Sequence, residues 1–177
     1  MGRAYHTLQH LRECFAQLAP VESCAEHLAE VELALWFHDA LYDTRAQDNE
    51  ERSADWARQA LAQAGVPAEV GARVRALVLA TRHAALPEVG DAQLLVDVDL
   101  SILGAAPVRF DEYERQIRQE YAWVPDAAFR QARANVLRGF LARPRIFGTP
   151  WFANRLEAPA RANLARSLHA LDAAPSA

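Results

Sequence analysis

Apolar residues recur at helical spacing in eight successive segments of this 177-residue chain, and no segment shows the alternation typical of a half-buried strand. Capping signatures and Pro or Gly residues separate these segments. The pattern therefore predicts an all-α fold, a helical bundle. The predicted helices cover residues 7–18, 24–42, 48–64, 67–83, 91–104, 110–121, 126–142 and 156–171, although residues 94–98 taken alone also fit a strand.

Capping boxes place the starts of two of these helices. Ser23 is followed three residues later by Glu26, which predicts that the second helix starts at Cys24 and runs to about residue 42. Asp48 with Glu51 repeats the signature at the start of the third helix. The third helix is the clearest of the eight, because a favoured C-terminal glycine also closes it.

The composition fits one globular domain. Hydrophobic residues make up 51% of the chain, enough for one sizeable core, so we expect a single domain over residues 1–171 and a disordered tail over residues 172–177. Charged residues interrupt every apolar stretch before it could span a bilayer, and the N-terminus lacks an apolar signal segment. Cys14 and Cys24 show no CxxC spacing and suit a reducing compartment. We therefore expect a cytoplasmic protein without a membrane partner.

The charges limit the classes of partner. All 19 basic residues are arginine, which excludes chemistry based on a lysine Schiff base, and the net charge of −4 argues against a nucleic-acid polymer as partner. Up to Gly104 there are eight arginines against sixteen acidic residues, and after it eleven against seven. An acidic first part fits cation binding and an arginine-rich second part fits an anionic substrate, although solvated helix surfaces explain the same charges.

An adjacent imidazole and carboxylate, His38 and Asp39, interrupt the apolar run EVELALWFHDALYD. A carboxylate among Leu, Trp and Phe side chains is costly unless a metal or another cation compensates it. Adjacent helical residues point about 100 degrees apart, so the two can share one metal only where the helix ends. The alternative is a hydrogen-bonded pair with a purely structural role.

Further candidate ligands lie before and after this pair. Asp99 has Leu95, Val96, Ile102 and Leu103 three and four residues away, an inward environment for a carboxylate, whereas the neighbours of Asp97 are more polar. His6 and His10 in YHTLQH stand four residues apart, a spacing that can chelate a metal on one helix face. Histidines at this spacing near a terminus are also often solvated. Buried pairing with an arginine is the alternative for Asp99.

In that order, His6, His38 with Asp39, and Asp99 resemble the H…HD…D signature of the HD superfamily of metal-dependent phosphohydrolases. The stretches YHTLQHL, FHDALYD, DNEERSA, TRH, DVDLSILG and RPRIF-T…E…ARANL are similar to a bacterial subgroup of predicted HD phosphohydrolases and cover nearly the whole chain. The resemblance implies an HD-type helical fold in which these four residues ligate a divalent cation.

The implied activity is a divalent-metal-dependent phosphohydrolase that acts on a small phosphorylated or nucleotide-like molecule with metal-activated water. A set of imidazoles and carboxylates without thiolates suits Mn, Fe, Co, Ni, Mg or Zn. Tyr42 stands where HD nucleotidases carry a glutamate, and no lysine follows the HD pair as it does in signalling phosphodiesterases. Hydrolysis of nucleoside monophosphates or cyclic dinucleotides is therefore not supported.

Candidates for supporting roles surround this set. Asp43, one turn beyond Asp39, and Glu50, at the start of the third helix, could act on the attacking water, although Glu50 equally suits the helix dipole. His83 could be a general acid or phosphate donor, and Thr81 a substrate contact, or both could simply end a helix. Arg118 is the candidate for phosphate contact, with a salt bridge to a neighbouring glutamate as the alternative.

Two other functional classes stay open beside the enzyme. One is a non-catalytic regulatory module that binds a metal or nucleotide with the same residues. The other is a structural helical protein in which the His and Asp residues form buried hydrogen-bonded pairs. Aromatic residues such as Trp151 and Phe152 fit a core, a pocket or an interface, so a homo-oligomer is compatible with the sequence.

Overall fold

The computed structural model describes residues 2–83, 87 and 90–173, and within them it contains helices and no strand. The predicted all-α fold is confirmed. Eight α-helices occur in this part of the chain: α1 Leu8–Leu18, α2 Leu28–Phe37, α3 Asn49–Gln63, α4 Ala68–Ala80, α5 Asp91–Leu100, α6 Pro107–Glu120, α7 Asp126–Ala142 and α8 Pro150–Ala173. Two 3-10 helices, Ala19–Cys24 and Ser101–Gly104, follow α1 and α5. Among the described residues, no helix is both long and apolar enough to cross a bilayer.

The chain divides into two compact units. We call His6–Asp99 the N-terminal unit, and the segment up to Tyr5 together with the chain from Leu100 onward the C-terminal unit. The single domain over residues 1–171 stays a prediction. Asp172, which we expected in a disordered tail, lies in the last turn of α8, while residues 174–177 fall outside the described residues. Between the predicted fourth and fifth helices, residues 84–86, 88 and 89 also fall outside them.

Helix α4 forms the centre of packing in the N-terminal unit. It contacts both α2 and α3, and α1 packs against α2. The side chains that these helices enclose are small or branched, and burial of each larger one contributes roughly 1.5–3 kcal/mol. Those with no exposed surface include Val31, Leu35, Ala54, Ala57, Val74 and Val78. The buried Glu30 carboxylate joins α2 to α4, because Arg73 donates to it from Nε at 2.8 Å and from Nη2 at 2.5 Å.

The start of α2 differs from the predicted one. Residues Ala19–Cys24 form a 3-10 helix, and α2 begins only at Leu28, so the capping box at Ser23 does not start it. Asp91 of α5 instead binds the backbone just before α2, whose N-cap residue His27 makes no side-chain capping hydrogen bond. Its carboxylate accepts hydrogen bonds from the backbone N–H groups of Glu26 at 2.7 Å and His27 at 2.9 Å. The Asp91 carboxylate, 65 positions away, therefore binds the Glu26 N–H group for which the sequence offered the Ser23 hydroxyl.

Helix α8 organises the C-terminal unit, where it packs against α7 and the Ser101–Gly104 turn. Asn163 donates to the carbonyls of Leu103 at 3.0 Å and Ala105 at 2.9 Å, which ties α8 to that turn. The predicted helix at residues 156–171 begins earlier, at Pro150, because proline suits the first turn of a helix. Proline likewise starts α6 at Pro107, three residues before the predicted position.

Part of the RPRIF…E…ARANL stretch has a structural role. The Glu157 carboxylate accepts from the backbone N–H groups of Ile146 at 3.0 Å and Phe147 at 3.2 Å. Arg161 donates to Glu157 and to the carbonyls of Leu141 and Arg143, at 2.8, 3.1 and 2.8 Å respectively. The two side chains of α8 therefore hold the connection from α7 by its backbone groups.

Candidate metal centre

The end of α2 brings His38 and Asp39 to one point. The helix stops at Phe37, earlier than the predicted end near residue 42, and His38 is its C-terminal cap. Asp39 lies in the following turn, which the hydrogen bond from the Ala40 N–H to the Phe37 carbonyl closes at 3.0 Å. Because Asp39 has left the helix, its Oδ2 reaches to 2.9 Å from His38 Nε2. The expectation that the pair shares one site at a helix end fits this geometry.

His10 of α1 and Asp99 of α5 complete a cluster with this pair. The Nε2 atoms of His10 and His38 are 3.1 Å apart, and His10 Nε2 lies 3.1 Å from Asp99 Oδ1. Asp39 Oδ2 is 3.6 Å from His10 Nε2, and Asp99 Oδ1 is 3.6 Å from His38 Nε2. We call His10, His38, Asp39 and Asp99 the imidazole–carboxylate cluster. All of it lies in the N-terminal unit.

Burial divides the cluster into a closed and an open side. The side chains of His10 and His38 are 4% and 3% exposed, whereas that of Asp39 is 25% exposed. Asp99 is intermediate, at 12%. The two imidazoles therefore form the floor of the site, and the carboxylate of Asp39 lies toward its accessible side.

The orientation of the His38 ring is set by its other nitrogen. Nδ1 lies 2.7 Å from the carbonyl oxygen of Leu35, to which it donates. In the neutral ring this leaves Nε2 without a proton and turns its lone pair toward the cluster. A backbone carbonyl that orients an imidazole in this way is the usual support of a histidine that ligates a metal.

Without a metal, the two carboxylates favour a proton on His38. Burial opposes the charged form of His38, but the carboxylates of Asp39 and Asp99 outweigh burial and raise its pKa well above the ordinary 6.5. Burial likewise opposes ionisation of Asp39, yet His38 and His6 lower its pKa to about 2. Against the same opposing burial, hydrogen bonds from His10, His38 and His83 lower the pKa of Asp99 well below 3.8. The cluster thus favours anionic carboxylates beside a cation.

His83 lies beside this cluster. Its Nε2 is 2.9 Å from Asp99 Oδ2, so the two oxygens of Asp99 face different imidazoles. The backbone of His83 has φ 54°, a left-handed conformation that costs an L residue roughly 1–2 kcal/mol. Of the predicted supporting residues, His83 is the one whose contact with the cluster is direct.

His6, the predicted first ligand, lies differently from His10. Its ring stacks on Tyr42, with centroids 3.9 Å apart, and meets the His10 ring edge-on at 6.1 Å. The helix begins at Leu8 after the N-cap Thr7, so His6 precedes it and does not share a helix face with His10. The ligand atoms of His10, His38 and Asp99 all lie within 4.8 Å of one another. Of the two histidines, His10 thus belongs to the cluster with His38 and Asp99, and the role of His6 as a ligand stays a prediction.

Asp43, Thr81 and Arg118 make hydrogen bonds with backbone groups. Asp43 is exposed, and its Oδ1 accepts from the Arg45 N–H at 2.9 Å. Thr81 is buried and donates to the Val78 carbonyl at 2.7 Å, at the end of α4. Arg118, in the C-terminal unit, donates to the carbonyl of Tyr121 at 2.8 Å. These bonds account for the three side chains structurally, and their roles in catalysis or substrate binding stay predictions.

Glu50 lies in α3 and Asp97 in α5. Glu50 lies half-buried in the first turn of α3, which agrees with the helix-dipole alternative, and its role toward water stays a prediction. Asp97 has no exposed surface, so the sequence underestimated its burial. His10 could have been found from its place on α1, where His10, Cys14 and Leu18 form a buried stripe at four-residue spacing.

The donor set of the cluster fits a divalent cation. Two imidazole nitrogens and the oxygens of two carboxylates converge, and metals from Mg to Zn accept this mixture. The thiol of Cys14 lies 3.7 Å from the His10 ring, but burial raises its pKa well above 9.0 and keeps it neutral. The cluster therefore offers nitrogen and oxygen ligands rather than a thiolate.

Comparisons of the chain with protein-family models, with curated proteins and with solved structures gave no significant match. The side chains of the imidazole–carboxylate cluster come from three separate stretches of sequence, α1, the end of α2 and α5, and the fold of the N-terminal unit brings them together.

Proposed function

We propose that this protein is a divalent-metal-dependent phosphohydrolase of the HD type, which acts on a small phosphorylated or nucleotide-like substrate. His10, His38, Asp39 and Asp99 would hold the cation. The observation that carries the proposal is the convergence of the two Nε2 atoms, 3.1 Å apart, on carboxylate oxygens 2.9 to 3.6 Å away.

A cation is what this arrangement requires. Ionised carboxylates and imidazole lone pairs that face one another in a buried site repel unless a positive charge lies among them. A proton on His38 supplies that charge in the metal-free protein. A divalent ion supplies more charge and can use the ligand atoms of all four residues at once, which favours a metal in the working site.

Two features favour phosphate hydrolysis: the order of the cluster residues along the chain and the partial exposure of Asp39 and His83. The order His, His-Asp, Asp along the chain is that of the HD signature, with His10 in first place. When bound, a divalent cation would supply an activated water and polarise a phosphoryl oxygen. The more exposed Asp39, at 25%, and His83, at 22%, give the cluster an accessible side for a substrate.

Within this proposal, the chain's own residues have separate tasks. His10 and His38 form the buried floor, and the Leu35 carbonyl holds the His38 ring in place. His83 orients Asp99 through Oδ2 and leaves Oδ1 facing the two imidazoles. Asp39, the more exposed carboxylate, would accept a hydrogen bond from the attacking water and orient it.

We also propose that the enzyme works in the cytoplasm. Cys14 and Cys24 are both free thiols in the structure, and Cys14 is buried beside a cluster residue. A reducing compartment keeps such thiols from oxidation.

The test combines metal binding with phosphate release. Protein stripped with a chelator would be loaded separately with Mn²⁺, Fe²⁺, Co²⁺, Ni²⁺, Mg²⁺ and Zn²⁺, and each form tested on phosphomonoesters, phosphodiesters and nucleotides. We expect binding of at least one of these ions and metal-dependent release of phosphate, both lost in Asp99→Asn. The matched control Asp111→Asn removes an exposed carboxylate of α6 and should change neither.

Two other results would replace the proposal. Metal binding without turnover of any substrate would support a regulatory module. A protein that binds none of the ions, and whose melting temperature is the same with and without chelator, would support structural hydrogen-bonded pairs.

A further inference from the structure

Two polar side chains of α3 hold the segment that follows Asp39. Ser53 Oγ accepts from the Leu41 N–H at 3.0 Å and donates to the Leu41 carbonyl at 3.2 Å. One turn earlier, Asn49 Oδ1 accepts from the Asp43 N–H at 3.0 Å, and its Nδ2 donates to the Asp43 carbonyl at 2.9 Å. Both backbone groups of each of these two residues are thus paired with α3.

The spacing of the four residues is compatible with both pairs forming at once. Asn49 and Ser53 lie four residues apart on one face of α3, which separates them by about 6 Å along the helix axis. Leu41 and Asp43 are alternate residues, and alternate residues of an extended chain repeat about every 6.6 Å. A helix can therefore pair with two alternate backbone positions through side chains, much as a neighbouring strand would through its backbone.

Residues 41–43, which we call the held segment, follow the end of helix α2. Helix α2 ends at Phe37, so no helical hydrogen bond beyond the cap restrains Asp39. Leu41 lies two residues beyond Asp39, and Tyr42, between the two pairs, stacks on His6 at 3.9 Å. Whatever holds Leu41 and Asp43 also limits where the Asp39 carboxylate can lie.

Ser53 is built for this task rather than for solubility. It has no exposed surface, and a buried hydroxyl is costly unless it is hydrogen-bonded. An alanine would fill most of the same space without that cost. The hydroxyl is therefore explained by the backbone of Leu41 that it holds.

We propose that Asn49 and Ser53 are positioning residues that hold Asp39 in the imidazole–carboxylate cluster through the backbone of Leu41 and Asp43. They would touch neither the cation nor the substrate. The inference rests on the proposed metal function for its consequence, while the positioning itself concerns the geometry of the metal-free cluster. The stretch DNEERSA thereby receives a physical role at the site.

The experiment compares Ser53→Ala, Asn49→Ala and the double variant with the unaltered protein. Co²⁺ serves as the probe, because its visible absorption spectrum reports ligand number and geometry while a titration gives its affinity. Leu61→Ala is the matched control, since it removes buried apolar volume from the same helix two turns beyond Ser53. It should lower the melting temperature while both side chains that bind Leu41 and Asp43 stay in place.

We expect the double variant to bind Co²⁺ about 10–100-fold more weakly, as is usual when a support behind a metal ligand is lost, with an altered spectrum. Leu61→Ala should keep the affinity and spectrum of the unaltered protein at temperatures where it is folded. If Ser53→Ala does not fold, Asn49→Ala, at a half-buried position, carries the same test. A double variant with unchanged affinity and spectrum would overturn the proposal.

A second measurement separates this proposal from the proposed function. The imidazole nitrogen NMR signals of His10 and His38 report the geometry of the metal-free cluster. We expect them to shift in the double variant and not in Leu61→Ala. If the unaltered protein binds none of the six divalent ions, the proposed function fails, whereas unchanged imidazole signals in the double variant would overturn the positioning role on its own.

Discussion

The Nε2 atoms of His10 and His38 lie 3.1 Å apart although 28 residues separate them in the chain. The Nδ1 atom of His38 already donates to the Leu35 carbonyl, so its Nε2 carries a proton only in the charged ring. Carboxylate oxygens of Asp39 and Asp99 approach the same two nitrogens. The four side chains thus face a point that a cation stabilises.

The first prediction separates the two histidines of YHTLQH. We expect His10→Gln to weaken Mn²⁺ binding at least about tenfold, because it removes a nitrogen from the cluster, and His6→Gln to have a much smaller effect. Isothermal titration with Mn²⁺ measures both, and the two variants are matched in chemistry. The reverse order of effects would restore His6 as the first ligand.

The second prediction concerns pH. In metal-free protein, charged His38 stabilises the fold fully below pH 6.5, and this contribution is lost as the pH rises through its raised pKa. Asp39 has a pKa of about 2 in place of 3.8, so it stabilises the fold above pH 3.8 and loses this effect as the pH falls toward 2. The stabilisation should therefore be greatest between these two limits.

A bound metal should change the dependence of fold stability on pH only on the alkaline side. A divalent ion replaces the proton on His38, so binding should tighten as the pH rises and abolish the alkaline loss of stability. Melting temperatures with EDTA and with Mn²⁺ across the pH range measure this. Asp39→Asn should flatten the acid side in the metal-free protein. Identical profiles with and without Mn²⁺ would contradict the prediction.

The third prediction separates the backbone of His83 from its side chain. At φ 54°, His83→Ala should be less stable than His83→Gly by about 1 kcal/mol, because the variants differ only in a strained Cβ. Both lose the contact with Asp99 Oδ2, so both should weaken metal binding by a similar factor. Urea denaturation and metal titration provide the two readings. If His83→Gly keeps the metal affinity of the unaltered protein and only the less stable His83→Ala loses affinity, the His83 side chain does not orient Asp99.

The fourth prediction tests the close approach of α8 to the turn after α5. A Cβ at Gly104 would lie 2.7 Å from Leu156 Cβ and 3.0 Å from its carbonyl oxygen, so Gly104→Ala should cost about 1–3 kcal/mol. Gly139→Ala is the control in the interior of α7, where nothing lies within 4 Å, and should stabilise by about 0.5–1 kcal/mol. Urea denaturation measures both. Equal effects would argue against the tight contact.

Helices whose ends are decided locally were well predicted. The predicted range of α7, residues 126–142, is the observed one, and α3 begins after Asp48 as its sequence indicates. The predicted start of α2 was wrong: Ser23 lies in the 3-10 helix, and Asp91, remote in sequence, accepts from the N–H groups of Glu26 and His27 ahead of α2. Local signals compete with such remote partners, and only the fold shows which one wins.

The site was predictable to a similar degree. The inward position of Asp99 followed from its apolar neighbours, and the need for a helix end at His38 and Asp39 followed from helix geometry. The choice of His6 as first ligand came from the resemblance to the HD signature, which does not show where α1 begins, and Thr7 is the N-cap of that helix. His6 and His10 are four residues apart, about one helical turn.

The sequence by itself determined the helical class, most helix positions and the types of side chain available for a metal site, because periodicity and capping act over a few residues. Only the tertiary structure decided which of these side chains meet. The contact between His10 and His38, and the hold of Ser53 on Leu41, depend on how α1 and α3 pack beside α2. Distances between helices arise from the packing of whole faces, which local patterns do not specify.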